Sequence, residues 1–152
     1  MMKVKLQGFA YWLIQLTWGI ITTVLGFLLA FILRLFDCPM YKNGYGYITT
    51  VGGNWGGLSL GPFAFCGRYE DKNSTCYNLD WFEHTRRHEF GHSLQVLFLG
   101  PLWLFVVAIP SAIRYWYHRL TPNKQHKGYN DVWFEGTASK WGTCAIKKIE
   151  GK

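Results

Sequence analysis

A long segment without charge near the N-terminus restricts the fold of this chain more than any other sequence feature. Residues 9–33 carry no charged side chain, and the polar residues that interrupt their apolar run are Gln15, Thr17, Thr22 and Thr23. A helix of about 20 residues crosses the hydrocarbon of a bilayer, so this run is long enough. It is too long for a signal peptide and has no Ala-x-Ala exit, which predicts a retained N-terminal transmembrane helix.

Composition supports a membrane setting and argues against nucleic acid as a partner. Charged residues make up 16% of the chain and aromatic residues 18%, which is little charge and much aromatic surface for a soluble domain. The net charge of +7 comes mainly from residues after 113, where no nucleic-acid-binding motif is present. We therefore expect a single-domain, mainly α membrane protein over residues 1–152. We expect it to be integral to a bacterial inner or plasma membrane and to contact the lipid bilayer.

Residues 37–79 follow a different pattern, being rich in glycine, polar and aromatic residues. Two runs, residues 47–51 and 58–65, predict a short β-hairpin around a glycine-rich turn, and Pro62 makes the second run an edge. Such an edge either holds an extended peptide by backbone pairing or merely covers the neighbouring helix. Cys66 and Cys76 flank a polar loop, and they either form a disulfide in an oxidising compartment or remain reduced.

Residues 80–119 predict a helix that runs into a second apolar segment. Asp80 and Glu83 have the spacing of a capping box, which marks the start of a helix. The apolar part, residues 94–117, is interrupted by Gly100, Pro101 and Pro110. This pattern predicts either a kinked membrane span or a re-entrant segment that enters the bilayer and returns.

A short helix over residues 130–142 and a basic tail over 143–152 complete the chain. Asn130 or Asp131 can cap this helix, and Gly142 is expected to end it. If two segments span the membrane and both basic flanks face the cytoplasm, residues 88 and 135 lie on opposite sides. A re-entrant second segment puts both residues on one side, most simply the cytoplasmic one, with the N-terminus outside.

The chemistry of the chain centres on His88-Glu89-Phe90-Gly91-His92, which reads H-E-x-G-H. Residues four apart share one face of a helix, so His88 and His92 can direct two imidazoles at one metal ion. Glu89 points about 100° away around the helix, which suits a base that holds a water and does not suit a ligand. This arrangement predicts a Zn²⁺ site with His88 and His92 as ligands and Glu89 as the catalytic residue.

A zinc site of this kind needs a third protein ligand, and Glu135 is the best candidate. It lies on the short C-terminal helix beside two aromatic residues, where an unpaired carboxylate would be costly. Asp131, His118 and His126 are the alternatives. His84 continues the four-residue spacing, but ligands at i, i+4 and i+8 would stretch over about 12 Å of helix. We therefore interpret His84 as a supporting or surface residue.

Together, the motif at residues 88–92 and Glu135-Gly136-Thr137-Ala138 resemble the H-E-x-G-H … E-x-x-A pattern of membrane gluzincin peptidases. That group includes the CAAX prenyl proteases and the HtpX-type proteases. The resemblance implies His88, His92 and Glu135 as zinc ligands and Glu89 as general base. The family usually has Asp one position after the alanine, whereas this chain has Ser139. The layout is also similar to that of small bacterial membrane proteins.

The expected function is that of a zinc-dependent, membrane-embedded hydrolase, with a peptidase as the favoured class and a peptide or membrane protein as substrate. Arg87, Tyr115, His84 and His118 are the candidates for stabilising an oxyanion. One alternative is a non-catalytic accessory or structural membrane protein whose histidines hydrogen-bond in a helix bundle. The other is a homologue that binds zinc without proteolytic activity.

Overall fold

The computed structural model of the protein describes residues 2–53, 55–74, 76–121 and 131–151. Within them the helices are α1 (Met2–Thr17), α2 (Ile20–Leu35), α3 (Leu79–Leu99), α4 (Ile109–Leu120) and α5 (Trp133–Glu150). The strands are β1 (Met40–Asn43), β2 (Gly46–Val51), β3 (Leu58–Leu60) and β4 (Phe63–Gly67). The predicted mainly α membrane fold is therefore wrong, because a four-stranded mixed sheet accompanies the helices. His126 and Asn130 lie outside the described residues.

The predicted transmembrane helix over residues 9–33 is also wrong. The chain bends by 97° between Lys5–Thr17 and Ile20–Leu35. Among the described residues, no single helix is both long and apolar enough to cross a membrane. Two bent pairs meet the length and composition required when their halves are taken together: this one, and Leu79–Leu102 with Leu104–Leu120, which are bent by 116°.

Polar residues of the apolar run satisfy backbone groups at the bend between α1 and α2. The side chain of Thr23 donates to the carbonyl of Gln15 at 2.8 Å, and Thr22 donates to the carbonyl of Gly19 at 2.9 Å. These hydroxyls satisfy carbonyl groups near the break in the helix. Gln15, fully buried, donates to the carbonyl of Ser93 at 3.0 Å and so ties the bend to α3.

The sheet has the strand order β1-β2-β4-β3, with β2 and β4 parallel and the other two pairs antiparallel. The predicted hairpin is wrong in its pairing, because the predicted second strand is two strands that turn at Gly61 and Pro62. Gly61 has a φ of +59°, a conformation that favours glycine. β3 lies at the edge of the sheet, whereas β4 is interior and buried throughout. Cys66 and Cys76 are buried free thiols.

Helix α3 begins and ends at sites that differ in part from the prediction. Its N-cap is Asn78, whose side chain accepts from the Trp81 backbone N–H at 3.0 Å, and not the predicted box at Asp80. A 3₁₀ turn (Gly100–Leu102) and a π-helical stretch (Leu104–Ala108) follow α3 and lead into α4. Gly100 has a φ of +52°, so the chain turns back there, as the Gly100–Pro101 interruption predicts.

Helix α5 is longer than predicted and packs closely on α3. It continues through Gly142 and the predicted tail to Glu150, and ends at Gly151 with a φ of +72°. A Cβ at Gly142 would overlap the Arg87 carbonyl, and a Cβ at Gly91 would overlap the Ala138 carbonyl. The two glycines therefore let the backbones of α3 and α5 touch. Since α3 also contacts β3, β4 and α1, it is the central element of the fold.

Candidate metal centre

Three buried side chains from α3 and α5 converge on one point. The Nε2 atom of His88 lies 3.0 Å from Oε2 of Glu135, and Nε2 of His92 lies 3.2 Å from the same oxygen. The two Nε2 atoms are 3.1 Å apart. This group could hold a metal ion, because each residue offers one ligand atom to a shared centre. Its geometry excludes the two-span arrangement, in which residues 88 and 135 face opposite sides of a membrane.

The position of Glu135 depends on the glycine in the motif. Gly91 lies between the two histidines on α3, and it faces Ala138 of α5. Glu135 precedes Ala138 by about one helical turn, so contact at Gly91 brings the carboxylate level with the imidazoles. The glycine of H-E-x-G-H thus has a packing role here, since any side chain would separate the two helices.

Each histidine is oriented by a hydrogen bond on its outer nitrogen. Nδ1 of His88 lies 2.8 Å from the Ser139 hydroxyl, and Nδ1 of His92 lies 2.9 Å from Oε1 of Gln95. An amide oxygen only accepts, so His92 Nδ1 carries a proton, and loss of the second ring proton would leave the Nε2 lone pair facing the cluster. Such outer partners are the usual support of metal-binding histidines. Ser139 therefore supplies the outer partner of the first histidine.

The Glu135 carboxylate is fully buried, and its neighbours favour the ionised form. Burial alone would raise the pKa of Glu135, but hydrogen bonds with His88 and His92 outweigh it and hold the pKa well below the usual range. Ser111 of α4 donates to its other oxygen at 2.5 Å. Burial alone would lower the pKa of His92, and the hydrogen bond with Glu135 more than reverses this effect. The site therefore stabilises a positive charge beside Glu135, which a bound cation would supply.

Glu89 lies outside this group of three but next to it. Its side chain is 5% exposed, and burial raises its pKa, an effect that the neighbouring His88 and His92 oppose. Gly57, which precedes β3, packs against the carboxylate, since an added Cβ would come within 3.0 Å of Glu89 Cδ. The absence of a side chain at Gly57 thus makes room for the carboxylate.

The site opens into a cleft of about 1180 Å³. Its lining includes residues 55–59, which lead into the edge strand β3, and residues of α4. His88, His92 and Glu89 all line this cleft together with Trp103. A molecule in the cleft would therefore reach both the candidate metal position and the Glu89 carboxylate.

The other residues proposed from the sequence lie apart from the cluster. His84 lines the cleft, with its ring stacked 6.5 Å from that of His88, and burial lowers its pKa. Asp131 is exposed before α5, and His118 lies on α4 outside the group of three. Arg87 forms an ion pair with Glu83 at 3.3 Å.

Tyr115 is the oxyanion candidate from α4 that lines the cleft, where Arg119 accompanies it. Arg119 donates to the Tyr115 hydroxyl at 2.8 Å, which polarises that hydroxyl as a donor. Sequence reasoning missed Arg119, Ser111 and Gln95. Gln95 could have been identified from the sequence, because it lies three residues after His92 on the same helix face. Ser111 gives no such signal, since only the turn at residue 100 brings it to the site.

Comparison with known proteins gives no assignment: no family model, no curated protein and no solved structure matches this chain. The function is therefore inferred from the geometry and chemistry of the site itself.

Proposed function

We propose that this protein is a zinc-dependent hydrolase that activates water to cleave peptide bonds. The observation that carries the proposal is the triangle of His88 Nε2, His92 Nε2 and Glu135 Oε2, with edges of 3.0, 3.1 and 3.2 Å. Tetrahedral zinc with bonds of about 2.0–2.1 Å sets its ligands roughly 3.3 Å apart. Two imidazoles with one carboxylate favour zinc over calcium or magnesium, which prefer oxygen ligands.

The number of ligands favours a catalytic over a structural role. Structural zinc sites close their coordination with four protein ligands, whereas catalytic sites use three and leave one position open. The described residues supply a group of three, and two of its members line an open cleft. Zinc held by this group would lower the pKa of a bound water toward neutrality and polarise a substrate carbonyl.

The remaining chemistry belongs to side chains of the cleft. The Glu89 carboxylate accepts the proton of the attacking water and then delivers it to the leaving amine. Its burial supports this role, because a carboxylate with a raised pKa holds a proton more readily than an exposed one. The Tyr115 hydroxyl, polarised by Arg119, donates to the oxyanion that develops on the former carbonyl.

A peptide is the substrate class that fits the wall of the cleft. Among the described strands, β3 pairs with β4 alone and forms one of the two edges of the sheet. Residues 55–59 line the cleft, where Gly57 packs against the Glu89 carboxylate and Gly56 lies beside the Tyr115 ring. An extended peptide can add to such an edge by backbone hydrogen bonds, which would present a peptide bond to Glu89.

The first experiment measures the metal. We expect about one zinc per chain in purified protein and loss of that zinc in a His88→Ala/His92→Ala variant. A His118→Ala variant, altered outside the group, should keep it. Glu135→Ala should also lose the metal, whereas Asp131→Ala should not. Protein without bound metal, even after incubation with zinc and removal of excess, would refute the proposal.

The second experiment measures turnover with a library of internally quenched peptides. Glu89→Gln keeps the shape of the side chain but not its basicity, so it should retain zinc and lose roughly a thousandfold or more in rate. Glu70→Gln, an exposed change, should leave the rate unaltered. Full activity in Glu89→Gln would exclude Glu89 as the base. Zinc binding without hydrolysis of any peptide would instead identify a zinc protein that has no peptidase activity.

A further inference from the structure

The outer face of the α1–α2 pair has the opposite polarity to an ordinary protein surface. We use the name outer face for the exposed apolar side chains of these two helices, most of which come from α2. On α2, Leu28, Phe31 and Leu35 are 49%, 55% and 68% exposed. Thr22 and Thr23 of the same helix are 0% and 4% exposed. A helix on the surface of a water-soluble domain directs its apolar side chains inward, whereas α2 exposes apolar side chains and buries two threonines.

Exposed apolar side chains continue along α1 and around the bend. Leu6, Phe9, Leu13 and Leu16 of α1 are more than half exposed. Gln15 of the same helix is fully buried against α3. Contiguous apolar patches of this length are rare on monomeric soluble proteins and mark an interaction surface.

The charged residues within positions 1–36 indicate what covers the outer face. Residues 1–36 contain no aspartate or glutamate. The charged side chains described there are Lys5 and Arg34, both exposed and close to the two ends of the pair. Protein interfaces surround an apolar centre with a mixed polar rim, which this segment lacks. Apolar side chains with flanking cations instead match hydrocarbon bordered by anionic headgroups.

We propose that the outer face is immersed in the hydrocarbon of a lipid bilayer, with Lys5 and Arg34 among anionic headgroups. The arrangement differs from a spanning helix. The 16 residues of α2 extend about 24 Å, whereas the hydrocarbon is about 30 Å thick, and α1 leaves at 97°. The bent pair therefore enters the bilayer without crossing it. This inference does not depend on the metal centre, since none of the three candidate ligands belongs to α1 or α2.

The first test is flotation of detergent-purified protein with vesicles after the detergent is removed. Wild type should float with phosphatidylcholine vesicles, and more strongly when phosphatidylglycerol is included. A Leu28→Glu/Phe31→Glu/Leu35→Glu variant should partition about tenfold less or lower still. The control carries three glutamates at apolar positions of comparable exposure away from α1 and α2, Tyr41→Glu/Tyr77→Glu/Leu79→Glu, and should stay within about twofold of wild type. Circular dichroism in detergent establishes that both variants fold.

A second test avoids the introduced charges. An environment-sensitive fluorophore is attached to Phe31→Cys in a Cys144→Ser background, because the other cysteines are buried. Its emission should shift to the blue when vesicles are added, whereas the same label at Tyr77→Cys should not respond. Absence of the shift at position 31, or wild-type protein that stays unbound to both kinds of vesicle, would overturn the proposal. A stable dimer that ignores vesicles would show that a second copy covers the face.

Discussion

Replacement of Gly91 by alanine is the sharpest test of how this fold builds its candidate metal centre. The added Cβ would lie 2.7 Å from Ala138 Cα and would overlap the Ala138 carbonyl. Carbon atoms pack best at about 3.5–4.0 Å, so α5 must move away from α3 by roughly 1 Å. No rotamer can relieve the overlap, because the atoms involved are Cβ and backbone. Glu135, about one turn before Ala138, must move with the helix.

Gly91→Ala has two opposing effects of different magnitude on the free energy of unfolding. Alanine is favoured over glycine in a helix interior by about 1 kcal/mol. Overpacking costs about 1–3 kcal/mol, and a backbone overlap belongs at the upper end of that range. We therefore expect Gly91→Ala to reduce the free energy of unfolding of the metal-free protein by about 1–2 kcal/mol. Helix propensity alone would predict an increase, so the sign distinguishes the two effects.

Gly91→Ala should change the free energy of zinc binding more than it changes the free energy of unfolding. Zinc bonds tolerate shifts of about 0.2 Å, and a shift of about 1 Å removes Glu135 from coordination. Loss of outer partners alone weakens binding by 10–100-fold, so loss of a direct ligand should cost at least about 100-fold. That factor corresponds to about 2.7 kcal/mol. Competition against a chromophoric chelator measures the affinity, and thermal unfolding with and without zinc measures the stabilisation.

Two further glycine variants make the test specific. Gly142→Ala introduces a Cβ 2.8 Å from the Gly91 nitrogen at the same helix contact, so it should also lower the zinc affinity. Gly52→Ala has no atom closer than 4.0 Å and should leave zinc affinity unaltered. Zinc affinity within about threefold of wild type in both Gly91→Ala and Gly142→Ala would refute the reasoning, since a factor of three is only about 0.65 kcal/mol.

Three other predictions follow from the described contacts. Ser139→Ala removes the hydroxyl that orients the first metal-binding histidine, so the same chelator competition should give a zinc affinity about tenfold lower with little change in melting temperature. Asn78→Ala removes the α3 cap and should cost about 1 kcal/mol, seen as a melting temperature lower by about 2–4 °C. Cys144 is exposed, whereas a hydrogen bond with Cys76 and burial raise the pKa of the Cys66 thiol. Maleimide at pH 8 should thus label Cys144 quickly and Cys66 only after denaturation, and rapid labelling of Cys66 in folded protein would contradict its burial.

The two imidazoles of the centre could be predicted because their arrangement is local. Four residues make slightly more than one helical turn, so His88 and His92 share a face wherever the helix lies. Glu135 required a second, less direct argument. An isolated carboxylate beside aromatic residues needs a partner, and a stretch of small residues permits close helix packing. Both features are visible in the sequence, although the contact through Gly91 is not.

The path of the apolar segments could not be predicted from their composition. A span of apolar residues has the same hydropathy whether it continues straight or bends. Because the transmembrane helix over residues 9–33 is predicted from hydropathy, that prediction misses the bend. The bend at Gly19 depends on the fit of that glycine against Val96, where an added Cβ would lie 2.8 Å from the Val96 side chain. Gly100 packs against Trp18 at the second bend in the same way. Each bend thus depends on a residue more than 70 positions away.

The sequence by itself determined the local chemistry of this protein: two histidines one turn apart, a glutamate between them, and a later carboxylate in an apolar setting. Those features depend on spacing along one helix or on the cost of an unpaired charge, and neither requires knowledge of the whole fold. Only the tertiary structure decided the parallel pairing of β2 with β4 and the return of α4 that brings Ser111 to Glu135. It alone also decided the direction in which the apolar faces of α1 and α2 point. These outcomes depend on contacts between distant segments, whose free energies are set by packing and not by any local pattern of residues.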